Sequence, residues 1–466
     1  MMPAHRDNGS EEAFADQVTG PKVYAVTDKQ RFILDQAVHP YCPDDLRDRW
    51  LMTNAFLVHP GIDDRRLRRA VQKLRERHDV LRMRFIQTKG KWQALIDPPG
   101  ADTLRYIDLG DVDDATFDRE IRAIAYAPMT IVGEPLGEVI VVKCGTRGDV
   151  LVTRVHHTLT DGYGIVVLTE DLTRLLLGMP LEGEAMPFAT YLTQYAEPSP
   201  VRTKKAEAFW RDLHHDFPKA PNVGRLRKGL PPLQGGLGEL DTRQMTFTAS
   251  PKSLRAFETR MAKAGLSTSS AFFAAHLEAI CQIYSLDKLM FMTHTTLSNP
   301  ELDKYAGDRT CDLVLPYLPV GKDRIEDGMR AVGELILKAM AHLPSKYALR
   351  NSEHETRLID AGCYPDQFSV HHPRPMKRQE RSVFREGFFV EQGQEQILGP
   401  YTITSLDLSC VRRITFEMQL TLAEERISTG FDIHFDGIAY TEEEVRKIGE
   451  TLCDLLDLKM TKAVTL

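Results

Sequence analysis

Residues 149–178 read DVLVTRVHHTLTDGYGIVVLTEDLTRLLLG, and this stretch restricts the fold more than any other. The apolar run before His156 has the pattern of a buried strand. Beyond the turn, Ile165, Leu168, Leu172, Leu175 and Leu176 recur at helical spacing until Gly178 and Pro180 stop the helix. A strand, a tight turn and a helix therefore follow one another, with two histidines, an aspartate and a glycine packed into the turn. Neighbouring side chains on a strand point to opposite faces, so His156 and His157 cannot share one cavity.

The rest of the chain repeats this alternation of strands and helices. After a polar tail over residues 1–20, TDKQRFIL opens a capped helix and NAFLVH a strand. The span 63–77 forms an amphipathic helix with Leu67, Ala70, Val71 and Leu74 on one face and arginines around the rest. Strands MRFIQ, KWQALI, GEVIVVKC and DVLVTRVHH complete a first α/β unit over residues 21–185. Residues 186–238 begin helical and end in the Pro/Gly-rich PKAPNVGRLRKGLPPLQGGLG, which reads as interlobe helices and linker. A second α/β unit over 239–466 contains the strands RQMTFTA, KLMFMTHTTLSN and CDLVLPYLPV, a hairpin over FEMQLTLAEERISTGFDIHF and a last helix opened by the capping box Thr441–Glu444.

Composition removes several functional classes. A net charge of −7 argues against a binder that neutralises nucleic-acid phosphates. No apolar stretch reaches the length of a membrane span. The 7 cysteines show no C-x-x-C pair, which fits reduced thiols in a cytoplasmic protein. H-E-x-x-H, G-x-S-x-G, P-loop and dinucleotide signatures are missing, so no metal is expected and the hydrolase, nucleotide and hydride classes lose support.

The turn itself has two readings. In one, both histidines are core residues, Asp161 N-caps the helix and Gly162 serves the turn. In the other, one histidine is a base, since an imidazole with an ordinary pKa of about 6.5 takes a proton from a hydroxyl or amine and returns one to a leaving group. Spacing does not separate them.

H-H-x-x-x-D-G at a strand end resembles the signature of the acyltransferase superfamily that includes chloramphenicol acetyltransferase and the condensation domains of nonribosomal peptide synthetases. His156, His157, Asp161 and Gly162 match it in full. TDKQRFIL resembles the family's N-terminal motif around A-Q-x-R, and RHDVLRMRF (residues 77–85) resembles R-H-E-x-L-R-T-x-F. SNPELDKYAGDRTCDLVLPYLPV resembles the region that usually reads N-R-P-E and then G-x-F-V-N-T-L-P. Three departures stand out, the first being Asn299-Pro300 in place of N-R. Gly164 occupies a place where the family often has serine, and G-x-F-V-N has become Asp308-Arg309-Thr310-Cys311-Asp312. The arginine expected to pair with the signature aspartate is missing from that neighbourhood, which leaves Arg154 and Arg309 as candidate partners of Asp161.

The resemblance implies an α/β fold of two chloramphenicol-acetyltransferase-like lobes, each a mixed sheet with flanking helices, set as a V around a central channel. His157 is then the catalytic candidate, with His156, Asp161 and Gly162 supporting the motif. The implied reaction carries an acyl chain from the phosphopantetheine thioester of an acyl or peptidyl carrier protein to a small-molecule alcohol or amine, with ester formation slightly favoured and no bound cofactor. No adenylation or carrier segment accompanies the module, so a free-standing monomer is expected. The arginine-rich helix at 63–77 is one candidate docking face for an acidic carrier. The rival readings are an acyltransferase on the same fold that uses coenzyme A, and an idle carrier-binding scaffold.

Overall fold

The computed structural model describes residues 20–38, 50–100, 104–196, 200–215, 223–230, 241–297, 299–343, 368–371, 395–406, 418–422 and 430–465. In the first half the order is β1 (Lys22–Ala25), α1 (Asp28–Ala37), β2 (Leu51–His59), α2 (Asp64–Arg77), β3 (Met83–Thr88), β4 (Lys91–Ile96), β5 (Leu104–Asp108), α3 (Asp114–Ala125), β6 (Gly137–Lys143), β7 (Asp149–His156) and α4 (Gly162–Leu177). Three short or connecting helices follow: α5 (Phe188–Tyr191), α6 (Pro200–His215) and α7 (Val223–Arg227).

The second half contains β8 (Thr242–Ala249), α8 (Pro251–Ala264), α9 (Thr268–Tyr284), β9 (Leu289–Thr296), β10 (Thr310–Tyr317), α10 (Ile325–Met340), β11 (Phe368–His371), β12 (Glu395–Leu398), β13 (Tyr401–Ser405), β14 (Met418–Thr421), β15 (Gly430–Asp436), α11 (Glu442–Leu455) and β16 (Met460–Thr465). The tail and the rest of the Pro/Gly-rich stretch lie outside the described residues, as do Cys42, Cys363 and Cys410. No described helix is long and apolar enough to cross a membrane.

Each half is built on a mixed sheet. The first is β12-β13-β2-β7-β6-β5, with β5 and β6 parallel, and a small sheet β1-β4-β3 lies beside it. The second is β10-β9-β11-β14-β15-β8-β16, in which β11 runs parallel to both neighbours. On α2 the buried residues are Leu67, Ala70, Val71 and Leu74, the face that the periodicity marks out. The capping box Thr441–Glu444 opens α11, whose Val445, Ile448, Leu452 and Leu455 are buried. Each such aliphatic side chain, fully buried, stabilises the fold by about 1.5–3 kcal/mol.

The division expected from chain order is crossed in two places. Hairpin β12–β13 adds to the first sheet, with Ile403 opposite Val58 and Ser405 opposite Phe56. Loop residues Leu302, Tyr305 and Ala306 are buried in the core formed by α2, α4 and the first sheet. An alternating strand pattern reports which side chains are buried, not which sheet receives them. The expected linker also contains an anchored piece, α7, where Arg225 grips the fully buried Asp436 at 2.9 Å. An arginine in a stretch rich in glycine and proline gives no sign of a partner so far along the chain.

Candidate active site

Backbone ladders hold the histidine pair from both sides, with the His156 amide donating to the Leu136 carbonyl at 2.9 Å and the His157 amide to that of Trp50 at 2.7 Å. From this common anchor the two rings part. His156 turns into the core, where its Nδ1 lies 2.9 Å from the Thr158 hydroxyl. Burial, assisted by the neighbouring His157, pushes its pKa down to about 3, so it stays neutral. For His156 the core reading holds.

His157 faces the other way and keeps 23% of its side chain exposed. Its Nδ1 is 3.2 Å from Oδ2 of Asp308, and the Trp50 ring meets it edge-on at 5.7 Å. A carboxylate only accepts, so the proton on Nδ1 is the donor and the neutral ring keeps its lone pair on Nε2. Burial works to lower the pKa of this histidine, but the charge and hydrogen bond of Asp308 outweigh it and raise the pKa above 6.5. The His157 carbonyl acts in the same direction and the Lys29 charge in the opposite one.

Asp161 is the N-cap of α4 and also does more. Its Oδ1 accepts from the amides of Tyr163 at 2.9 Å and Gly164 at 2.7 Å, satisfying donors that every helix start leaves open. Its Oδ2 accepts from the Arg309 amide at 3.0 Å and the Thr310 hydroxyl at 3.1 Å. One carboxylate thus ties the signature turn to the start of β10. Burial, followed by the nearby charge of Asp308, raises its pKa.

Neither arginine meets Asp161 through its guanidinium. Arg154 pairs with Glu138 and donates to the Ala127 carbonyl, which corrects its candidacy. Two residues before His156 on β7, it leaves the strand on the face of that histidine and not of His157. Arg309 is the neighbour, but through its backbone amide. Its guanidinium lies 3.6 Å from the centre of the Tyr163 ring and donates to the Leu302 carbonyl at 2.9 Å.

The two signature-region glycines differ in what surrounds them. A Cβ on Gly162 would meet nothing within 4 Å, so the backbone there borders open space. On Gly164 it would lie 2.2 Å from the Thr160 hydroxyl and 2.3 Å from the Ala306 carbonyl. That carbonyl accepts from Thr160 Oγ1 at 2.7 Å, so the crossing loop rests directly on the start of α4. Here lies the physical reason for glycine at a position where the family often has serine. Gly164→Ser is expected to destabilise by about 1–3 kcal/mol through overpacking, measured by urea unfolding beside Gly162→Ala as the sterically free control. Equal stability of the two variants would refute the close approach.

The other motif stretches hold this turn in place. Gln30, buried on α1, donates to the Thr158 carbonyl at 3.0 Å inside the signature turn. Arg77 Nε at 2.7 Å and His78 Nε2 at 2.8 Å converge on Asp171 of α4. Asp79 accepts from the Phe188 amide at 2.8 Å. Burial would raise the Asp171 pKa, but His78 and Arg77 together hold it below the carboxylate range. RHDVLRMRF therefore clamps α2 to α4. Asp308, Thr160 and Thr310 escape sequence reading as site residues. The available signal for Asp308 was a carboxylate standing where the resembled motif has a glycine.

Comparison with known proteins agrees with this architecture. The family described as Condensation domain matches residues 23–302, more than half of the chain. Cyclosporin synthetase of Tolypocladium inflatum is 25% identical over 182 residues, covering 37% of this chain and 1% of its own. A linear gramicidin synthase of Brevibacillus parabrevis is 27% identical over 162 residues, covering 34% and 3%. The chain thus spans only a few per cent of the length of these curated relatives.

Among solved structures, a four-domain nonribosomal peptide synthetase bound to AMP and glycine superposes with a TM-score of 0.71 at 13% identity, covering 96% of this chain and 34% of that one. The condensation domain of the monacolin K polyketide synthase MokA gives 0.69 at 13%, covering 93% and 96%. The SgcC5 protein of Streptomyces globisporus gives 0.65 at 16%, covering 93% and 98%. At such identities the likeness concerns the fold, and the fold is the chloramphenicol-acetyltransferase-like one expected from the signature.

Proposed function

Because this chain belongs to the condensation-domain family, we propose that it moves an acyl chain from the phosphopantetheine thioester of a carrier protein to a small hydroxyl or amine acceptor. The observation that carries this reading is the state of His157, whose Nδ1 is held by Asp308 while Nε2 keeps the lone pair on a partly exposed ring. In this mechanism Nε2 takes the acceptor's proton as its oxygen or nitrogen attacks the thioester carbonyl. The tetrahedral centre collapses with cleavage of the C–S bond, and the imidazolium returns the proton to the departing thiolate.

Much of the rate is assigned to holding thioester and acceptor together beside this one base. No acyl-enzyme is needed. Burial pushes the thiols of Cys144, Cys281 and Cys453 up to about 11, 12 and 12, so they stay protonated and unsuited to nucleophilic attack. Of the two acceptors the hydroxyl is favoured. A neutral amine attacks unaided, whereas a hydroxyl needs its proton removed during attack, the task that a carboxylate-backed imidazole performs.

The test incubates an acyl-loaded carrier protein with this protein and a mixed pool of alcohols and amines, read by mass spectrometry beside an acyl-coenzyme A control. A new ester, dependent on the carrier, is the expected result. An amide would reassign the acceptor, turnover from coenzyme A alone would move the protein to the soluble acyltransferases, and no product from either donor would favour the idle scaffold.

A further inference from the structure

On the acyl-transfer reading above, we propose that Asp308 is a positioning residue for His157: it fixes the imidazole's orientation and holds it in the Nδ1–H tautomer, leaving Nε2 as the base. The signature aspartate does not fill this role. Both oxygens of Asp161 are taken by Tyr163, Gly164, Arg309 and Thr310, and these hydrogen bonds do not reach His157. The two carboxylates divide the work, Asp161 holding the turn and Asp308 the ring.

Burial and hydrogen bonds fix the Asp308 side chain. It is 3% exposed. Oδ1 accepts from the Thr310 amide at 2.8 Å, which leaves Oδ2 turned to the ring. The chain around it is pinned to the signature turn, Arg309 through its amide to Asp161 and Ala306, two residues before Asp308, through its carbonyl to Thr160. A ring held by a carboxylate so fixed has one orientation and one preferred tautomer. The resemblance sets Asp308 against the glycine of G-x-F-V-N, a residue with no side chain to offer.

The charged groups around the ring set the sign of the pH dependence. Asp308 favours the imidazolium and Lys29 of α1 opposes it; His156 is neutral, the Asp161 carboxylate is engaged by Tyr163, Gly164, Arg309 and Thr310, and the Arg309 guanidinium is turned onto Tyr163. Asp308 prevails, so the protonated ring persists above pH 6.5. A base acts only when unprotonated, so kcat/KM rises with pH through that raised value. Removing the carboxylate's charge moves this acid limb to lower pH and forfeits part of the roughly 10²–10⁴-fold that a positioned base supplies.

The experiment follows the His157 ring nitrogens by ¹⁵N NMR across pH in the wild type, Asp308→Asn and Asp308→Glu, together with kcat/KM against pH in the carrier assay. The expected result is an Nδ1–H ring with a midpoint above 6.5 in the wild type, a lower midpoint and acid limb in D308N, and substantial recovery of both in D308E. An Nε2–H ring in the wild type overturns the assignment without recourse to any variant. So does a D308N protein that loses activity while midpoint and acid limb stay in place, the outcome of a merely structural role. If the ring behaves as expected but the wild type transfers no acyl group, the pairing stands and the acyl-transfer reading falls.

Discussion

His157→Ala is expected to lower carrier-dependent acyl transfer by about 10²–10⁴-fold, the range that a positioned general base contributes, or about 3–5 kcal/mol of transition-state stabilisation. The loss stops short of complete inactivity because juxtaposition of thioester and acceptor, which this variant retains, has its own large effect. The fold is expected to survive, since the ring is partly exposed and its hydrogen bond is to one side chain, Asp308, which keeps the Thr310 amide. Single-turnover measurement of product formed from a loaded carrier, beside circular dichroism of the variant, checks both halves. A correctly folded variant with wild-type kcat/KM would remove the base role from His157.

Asp161→Ala is expected to act through stability instead. It strips the cap of α4, worth about 0.5–2 kcal/mol, and leaves the Arg309 amide without its acceptor, at about 1–3 kcal/mol. A loss of about 1.5–5 kcal/mol in urea unfolding follows, large against the 5–15 kcal/mol that a domain commonly possesses. Asp161→Asn keeps an oxygen for the helix amides but turns an NH2 donor toward the Arg309 amide, so it is expected to keep the cap and lose the tie to β10.

The pH dependence has a definite sign. Burial raises the Asp161 pKa, so the folded protein retains a proton above 3.8, where the unfolded chain releases it. This group's contribution to stability is therefore greatest below that value and declines as pH rises through the raised one, a component absent from D161N. An alanine variant as stable as the wild type would show that the tie between α4 and β10 contributes little.

The two variants separate what the motif joins. Its second histidine is assigned chemistry, its aspartate architecture, and its first histidine lies in the core. Gly162 borders open space, whereas Gly164, outside the motif proper, is the glycine demanded by contact.

Local pattern made much of this protein legible. The strand, turn and helix at 149–178, the face of α2, the capping box of α11 and the opposed directions of the two histidines all follow from periods of 2 and 3.6 residues and from capping chemistry, which depend on near neighbours alone. The family followed from residue types at fixed spacing. Tertiary structure alone decided that β12–β13 joins the first sheet, that the loop at 302–306 seals against α4, that Arg154 belongs to Glu138, and that Asp308 stands behind His157. The last contact joins residues 151 positions apart. Sequence periodicity specifies which way a side chain points from its own element, while the partner waiting there is set by how distant elements pack, and for His157 that partner is a carboxylate.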